Sequence, residues 1–316
     1  MVFTVWAAID SPHTMASKDN TLQILGNDLL ESFVAVTVET FFFSVYTILI
    51  LKTTSIFLRR KGRRPASFIT LAAVIVLFLL DAVLWIIDVR NIIIELKITL
   101  ISDSDDTLEA KYGSAGETVL NLVSVQALLY AYMTIIGDCI IIWRAYAFWS
   151  HGKEKLVLLL PGAMLLASII STIMLTYCVD RLGGDIVGGA FLHPALCRNM
   201  QETSYAATVA TTAVATFLIG YKTWQYRRSI QSSIDESVPK TRVEKVMIIL
   251  VESGVLYFLF FLSPVIFSIG DLQAREDAKT NLKFAGTVYQ YLTSTVVGIY
   301  PTVIVVLVKS QLSFID

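Results

Sequence analysis

Four carboxylates, Glu39, Asp81, Asp138 and Glu252, interrupt long apolar runs. Each is costly in hydrocarbon unless it faces an interior where it is hydrogen-bonded, neutralised or wetted. Such residues are candidates for a switch, a proton relay or a cation site. The plainer alternative is a polar packing contact between helices, and it suits Glu39, which lies near the end of its run and can reach outward. Asp138 and Glu252 fall at similar depth and are expected to share one polar cluster. Tyr130, Thr134 and Asp138 recur at i, i+4 and i+8, with Asn121, Ser124 and Gln126 adding polarity above them. Tyr289, Gln290, Thr293, Ser294 and Tyr300 give a second mixed run. Both sets predict walls of an interior cavity. Arg144 lies six residues beyond Asp138, about 240° round a helix and about 9 Å along it, too far round for a pair. Its expected partner is Glu244 or a lipid phosphate. Pro264 and Pro301 interrupt apolar runs and are candidate hinges.

Nothing else in the chain has the spacing of a reaction centre. His13, His151 and His193 are scattered in polar segments, and no Cys/His cluster has metal-ligand spacing. No serine, cysteine or metal hydrolase constellation is visible, so neither catalysis nor a cofactor is expected. An intramembrane aspartyl protease built on Asp81 and Asp138 is the enzyme alternative, but such enzymes carry "YD" and "GxGD", whereas Leu80 precedes Asp81 and "IIGD" ends on Asp138. Cys178 and Cys197 flank one polar segment and are expected to form a disulfide. Cys139 reads as a small packing residue.

The elements that must position these residues follow from composition. Hydrophobic residues make up 55% and charged residues 16% of 316, with a mean hydropathy of +0.67. Soluble domains average about 25% charged, so lipid is the expected solvent. Net charge is −1, and no nucleic-acid partner is implied. A bilayer core about 30 Å thick needs about 20 apolar residues in a helix. Seven runs qualify, at about 33–54, 67–87, 118–143, 156–177, 204–226, 246–268 and 284–308. The sequence therefore predicts an all-α membrane protein, a seven-helix bundle over 33–308 between an extracellular segment 1–32 and a short cytoplasmic tail 309–316. Segments 1–32 show no basic stretch followed by a long apolar core, so the first helix is expected to direct insertion.

Orientation comes from Lys and Arg. One side collects the basic runs after helices 1, 3 and 5 together with Lys309, sixteen of the chain's 25, and the other side holds nine. The richer side is expected in the cytoplasm, which puts the N-terminus outside and the C-terminus inside. No helix core keeps a lysine for a retinal Schiff base. Ala163, Ala167 and Ser171 form a small-xxx-small seam on helix 4, and Trp143, Tyr146 and Trp149 an aromatic belt. The segment 88–117 reads as a long acidic external loop in which "IELKITLIS" suggests a short strand, an interfacial element or an extension of helix 2.

The strings "GDCIIIWRAYAFW" at 137–149, "VESGVLY" at 251–257 and "GIYPTVIVVLV" at 298–308 resemble the seven-helix integral membrane proteins of mushroom-forming fungi. That resemblance implies a bundle similar to G-protein-coupled receptors, and implies no particular ligand. The chain departs from rhodopsin-like receptors at three points. Helix 3 has no cysteine at its start, no acidic residue directly precedes Arg144, and "GIYP" stands where "NPxxY" would fall. The leading expectation is a plasma-membrane receptor or sensor for a small molecule or peptide, with a cytoplasmic G protein as partner. A transporter using the intramembrane carboxylates is the alternative, and a non-catalytic structural membrane protein the third reading. Tags at the C-terminus and in 227–242 are expected to stay shielded in intact cells while a tag in 88–117 is accessible. Surface labelling of a C-terminal tag in unpermeabilised cells would reverse the orientation.

Overall fold

In the computed structural model, residues 18–59, 65–101, 108–149, 156–182, 195–231, 242–267 and 280–313 are described. They form seven helices and, among the described residues, no strand: α1 (Lys18–Arg59), α2 (Pro65–Leu96), α3 (Leu108–Phe148), α4 (Leu159–Leu182), α5 (Ala195–Gln231), α6 (Arg242–Phe267) and α7 (Thr280–Ser313). Six of them hold spans long and apolar enough to cross a membrane, and the seventh, α6, has a shorter apolar stretch, Met247–Ser263. The seven apolar runs therefore do fold as seven helices. Several outrun the bilayer: α1, with 42 residues, is about 63 Å long, twice the hydrocarbon thickness.

Large apolar side chains cover the outside of the bundle. Phe33, Phe41, Leu51, Leu79, Ile86, Ile173, Phe217 and Leu256 are all exposed, a surface that only lipid tolerates. Hydroxyls inside the helices satisfy themselves locally. Those of Thr37, Ser44, Thr47, Thr53 and Thr54 each donate to the carbonyl four residues earlier, at 2.7–2.9 Å. This is the economical solution where no water competes.

The helices close a ring. α1 packs on α2 and α7, α6 on α5 and α7, and α3 stands between α2, α4, α5 and α7. Phe43 stacks between Phe78 and Trp85, at 5.6 and 4.9 Å between ring centroids, and joins α1 to α2. The ring closure depends on one glycine. A Cβ on Gly298 of α7 would stand 2.7–2.9 Å from the Tyr46 ring of α1, which is fully buried and has nowhere to move. A second such contact joins α5 to α6, where a Cβ on Gly254 would stand 2.8 Å from the Thr216 hydroxyl.

Several sequence expectations change. The 88–117 segment is mostly helix: α2 continues to Leu96 and passes into a π-helical turn, Lys97–Ile101, before α3 starts at Leu108. Asn91, Ile92 and Thr99 are buried, so this extension keeps one face on the bundle and is no strand. Only 102–107 separates α2 from α3, and an accessibility tag belongs there. On α4, Ala163 and Ala167 are exposed, while Ser168, Ser171, Thr172 and Leu175 are buried. The packing seam is thus turned about one residue from the expected one. Thr172 meets Ser204 of α5 at 3.3 Å along it. Trp143 and Tyr146 are exposed as a belt requires, but Trp149 is buried and its indole donates to the Leu218 carbonyl of α5 at 3.3 Å. Cys178 is disulfide-bonded and Cys139 is free. Cys197 is the chain's one other cysteine, and its side chain lies outside the described residues.

Gly298→Ala is expected to destabilise the purified protein by about 1–3 kcal/mol, the usual cost of overpacking. Tyr46→Leu should recover part of that loss. A thermal melt of the two single variants and the double variant reads this directly, and an unchanged Gly298→Ala midpoint would show that α1 and α7 are not pressed together there.

Candidate functional site

The buried polar side chains gather in three sets. The first lies among α1, α2, α3 and α7. Asp81 and Asp88 are seven residues apart on α2, two turns and almost the same angle, so both point to one side. Glu39 of α1 is fully buried within electrostatic reach of both. The Gln126 amide of α3 donates to Asp88 at 2.7 Å and receives a longer bond from Asn91 at 3.4 Å. Thr295 of α7 donates to Asp81 at 3.4 Å. The Trp85 indole donates to Thr40, whose own hydroxyl is spent on the Val36 carbonyl. Both oxygens of Glu39, one of Asp81 and the Asn91 carbonyl are buried with no hydrogen-bond partner. Unmet buried acceptors are expensive, which favours a functional reason for keeping them.

Asp138 forms the second set alone. It is buried on α3 close to Thr208 of α5, and one of its oxygens lacks a partner. The expected cluster with Glu252 does not form, because Glu252 is exposed. On α6 it shares a stripe with exposed Val255, Leu256 and Leu259, while Met247, Leu250, Tyr257 and Phe261 face the core. The helix is apolar on both sides, so its sequence does not announce which side turns inward.

A third set of bonds ties α3, α5, α6 and α7 together around two prolines at different heights, Tyr289 and Pro301 standing about 18 Å apart along α7. Proline has no N–H, so Pro264 withdraws the donor that the Phe260 carbonyl would have in a regular helix. Ser263 of the same helix, at 2.7 Å, and Tyr289 of α7 donate to that carbonyl instead. Tyr205 of α5 donates to the next one, Phe261, at 2.7 Å. At Pro301 the bonds differ: the Arg144 guanidinium donates to the carbonyl of Pro301 itself at 3.1 Å, and Thr302 donates within its own helix to that of Gly298 at 2.9 Å. Arg144 also lies over the Tyr300 ring at 5.9 Å, and Tyr300 stacks on Tyr257 at 4.0 Å. Arg144 is buried, so it points into the bundle and the headgroup reading is withdrawn. The side chains of Glu244 and Pro264 lie outside the described residues.

Tyr130, Thr134, Thr293 and Tyr300 sit at the heart of the bundle. Tyr130 and Tyr300 pack against the largest buried cluster, the Tyr130 hydroxyl is buried without a partner, and Thr134 and Thr293 bond their own helices. Gln290 of α7 is half-buried. Among the described residues no group of three or more His, Cys, Asp or Glu could hold a metal ion.

Asp88 and Tyr205 carry much of this arrangement beside Gln126, and the sequence alone gives neither of the two a role at the site. The i, i+7 spacing of Asp81 and Asp88 was the available signal, hidden because Asp88 was assigned to a loop. Fold and interior together define an integral membrane helical bundle with a buried, incompletely satisfied polar core. No family model, curated protein or solved structure matches the chain.

Replacing Glu39 by Met, similar in volume and without polar oxygens, is expected to raise stability by about 1–4 kcal/mol, as when a poorly met buried charge is exchanged for an apolar group. A lower thermal midpoint in Glu39→Met would mean that Glu39 is a structural contact.

Proposed function

We propose that this chain is a receptor-like sensor of the plasma membrane, with its N-terminus outside, its C-terminus in the cytoplasm and a small molecule or peptide as ligand. One observation carries the reading: α3 is the central helix, and at its end Arg144 holds α7 at the Pro301 carbonyl. A ligand that changes the tilt of α6 or α7 must exchange these side-chain bonds for others, which supplies two discrete arrangements. In this orientation the carboxylates of Glu39, Asp81 and Asp88 lie in the outer half and Arg144 in the inner half. A cytoplasmic G protein is the natural reader of a change at the inner end.

The carboxylate cluster favours a second reading, a cation- or proton-coupled transporter. Against it stands the single ring with one central helix, where an inverted-repeat transporter has two matching halves.

The test is a distance measurement. A spin label on native Cys139, which is exposed on α3, and one on Glu252→Cys, exposed on α6, report the separation of these helices without touching the core. The sensor reading expects two populations in lipid nanodiscs, with Arg144→Ala moving weight between them. A single narrow distribution unmoved by Arg144→Ala would refute it. Proton-driven flux in liposomes that is lost in Asp81→Asn would establish the transporter instead.

A further inference from the structure

An open groove of about 520 Å³ runs between α5 and α6 on the outside of the bundle. That volume is within the range of small-molecule sites. Its walls come from Ala213, Phe217, Gly220 and Trp224 of α5 and Val251 and Val255 of α6, none of them charged. It exists because the two helices meet closely at Thr216 and Gly254, while Gly220 contributes no side chain to fill the space below. On α5 the lining positions 213, 217, 220 and 224 step by three and four, so positions 227 and 228 continue the same face beyond the groove.

Both of those positions are arginine. The Arg228 guanidinium lies over the Trp224 ring at 5.6 Å, so the groove's last wall residue also orients a cation. Tyr221, another lining residue, stacks with Trp149 at 6.3 Å, and the Lys222 ammonium lies over that same indole at 4.8 Å. Aromatic rings of this kind gather at the headgroup level. An uncharged trough therefore ends at the Trp224 ring, which orients Arg228, with Arg227 next to it in the chain; Lys222 is turned to the α3 side.

We propose that this groove is a binding site for one anionic phospholipid, with an acyl chain along Ala213–Gly220 and Val251–Val255 and the phosphate on Arg228. Hydrocarbon matches the uncharged walls, and a negative headgroup matches the charge at Arg228. A zwitterionic lipid fits the trough equally well but gains less there. A basic residue at the membrane surface contributes about a fivefold preference for anionic lipid.

The test uses the full chain in nanodiscs whose two leaflets have the same composition, so it is independent of orientation. Phosphatidylserine and phosphatidylcholine, each with a photoreactive group on the acyl chain, are crosslinked and the sites mapped by mass spectrometry. We expect phosphatidylserine to label the α5–α6 groove about fivefold or more above phosphatidylcholine, and Arg228→Gln to remove most of that excess while leaving phosphatidylcholine labelling as it was. Gly220→Leu should abolish groove labelling by both lipids. A Cβ there meets Val251 at 3.8 Å, ordinary contact, so the added bulk fills the trough without separating the helices. Equal labelling by the two lipids would reduce the site to ordinary surrounding lipid and overturn the proposal. So would a preference that survives Arg228→Gln.

Discussion

In hydrocarbon a backbone carbonyl without a donor has no water to turn to, and this constraint orders the interior of the bundle. The helices meet it through their own ladders almost everywhere. Pro264 and Pro301 interrupt α6 and α7: the Phe260 carbonyl that Pro264 leaves without its N–H is met by Ser263 of its own helix and Tyr289 of α7, Tyr205 of α5 serves the next carbonyl, and Arg144 of α3 reaches the carbonyl of Pro301 itself. Each bond from another helix is also a tether. α5 and α7 are fastened to the weak point of α6, and α3 to α7 at Pro301.

A tether made of side-chain hydrogen bonds behaves differently from apolar packing. Interhelical bonds in membranes are worth about 0.6 kcal/mol on average, so they are readily exchanged when a competing partner arrives. The close contacts at Gly298 and Gly254 have no such freedom. The bundle thus combines rigid seams, α1 on α7 and α5 on α6, with bonds that can be traded at the proline breaks. The sensor reading draws on that contrast: motion about the breaks is inexpensive, while the ring stays closed.

The helices themselves were legible in the sequence because they depend on length and apolar content, and the seven runs fold as seven helices. Rotation of each helix was much less so. In water a helix advertises its inner face by being apolar there, but in lipid both faces are apolar. Glu252 illustrates the loss: its carboxylate suggested an inward position, and the helix presents it outward beside Leu256 and Leu259. Asp138 and Asp81 are buried, as a carboxylate deep in an apolar run should be. Glu39 is buried too, against the alternative that it reaches outward. Asp88 is hidden by a helix boundary at 87, nine residues short of Leu96, and Tyr205 by its ordinary appearance in a mixed run. A rule that asks which side chains serve the carbonyls three and four residues before Pro264 points to Tyr205 of α5 and Tyr289 of α7.

A double-mutant cycle tests most directly whether tyrosine substitutes for the donor that proline lacks. Ser263 of the same helix also donates to the Phe260 carbonyl at 2.7 Å, so the cycle is built on Ser263→Ala, where Tyr289→Phe leaves that carbonyl unmet and should cost about 1–3 kcal/mol. Pro264→Ala returns an N–H to that carbonyl, so in this background the same Tyr289→Phe change should cost less than about 0.5 kcal/mol. Unfolding free energies of the four proteins in one detergent give the coupling between the two positions. Equal costs of Tyr289→Phe in both backgrounds would contradict the account, because the hydroxyl would then not be serving the break.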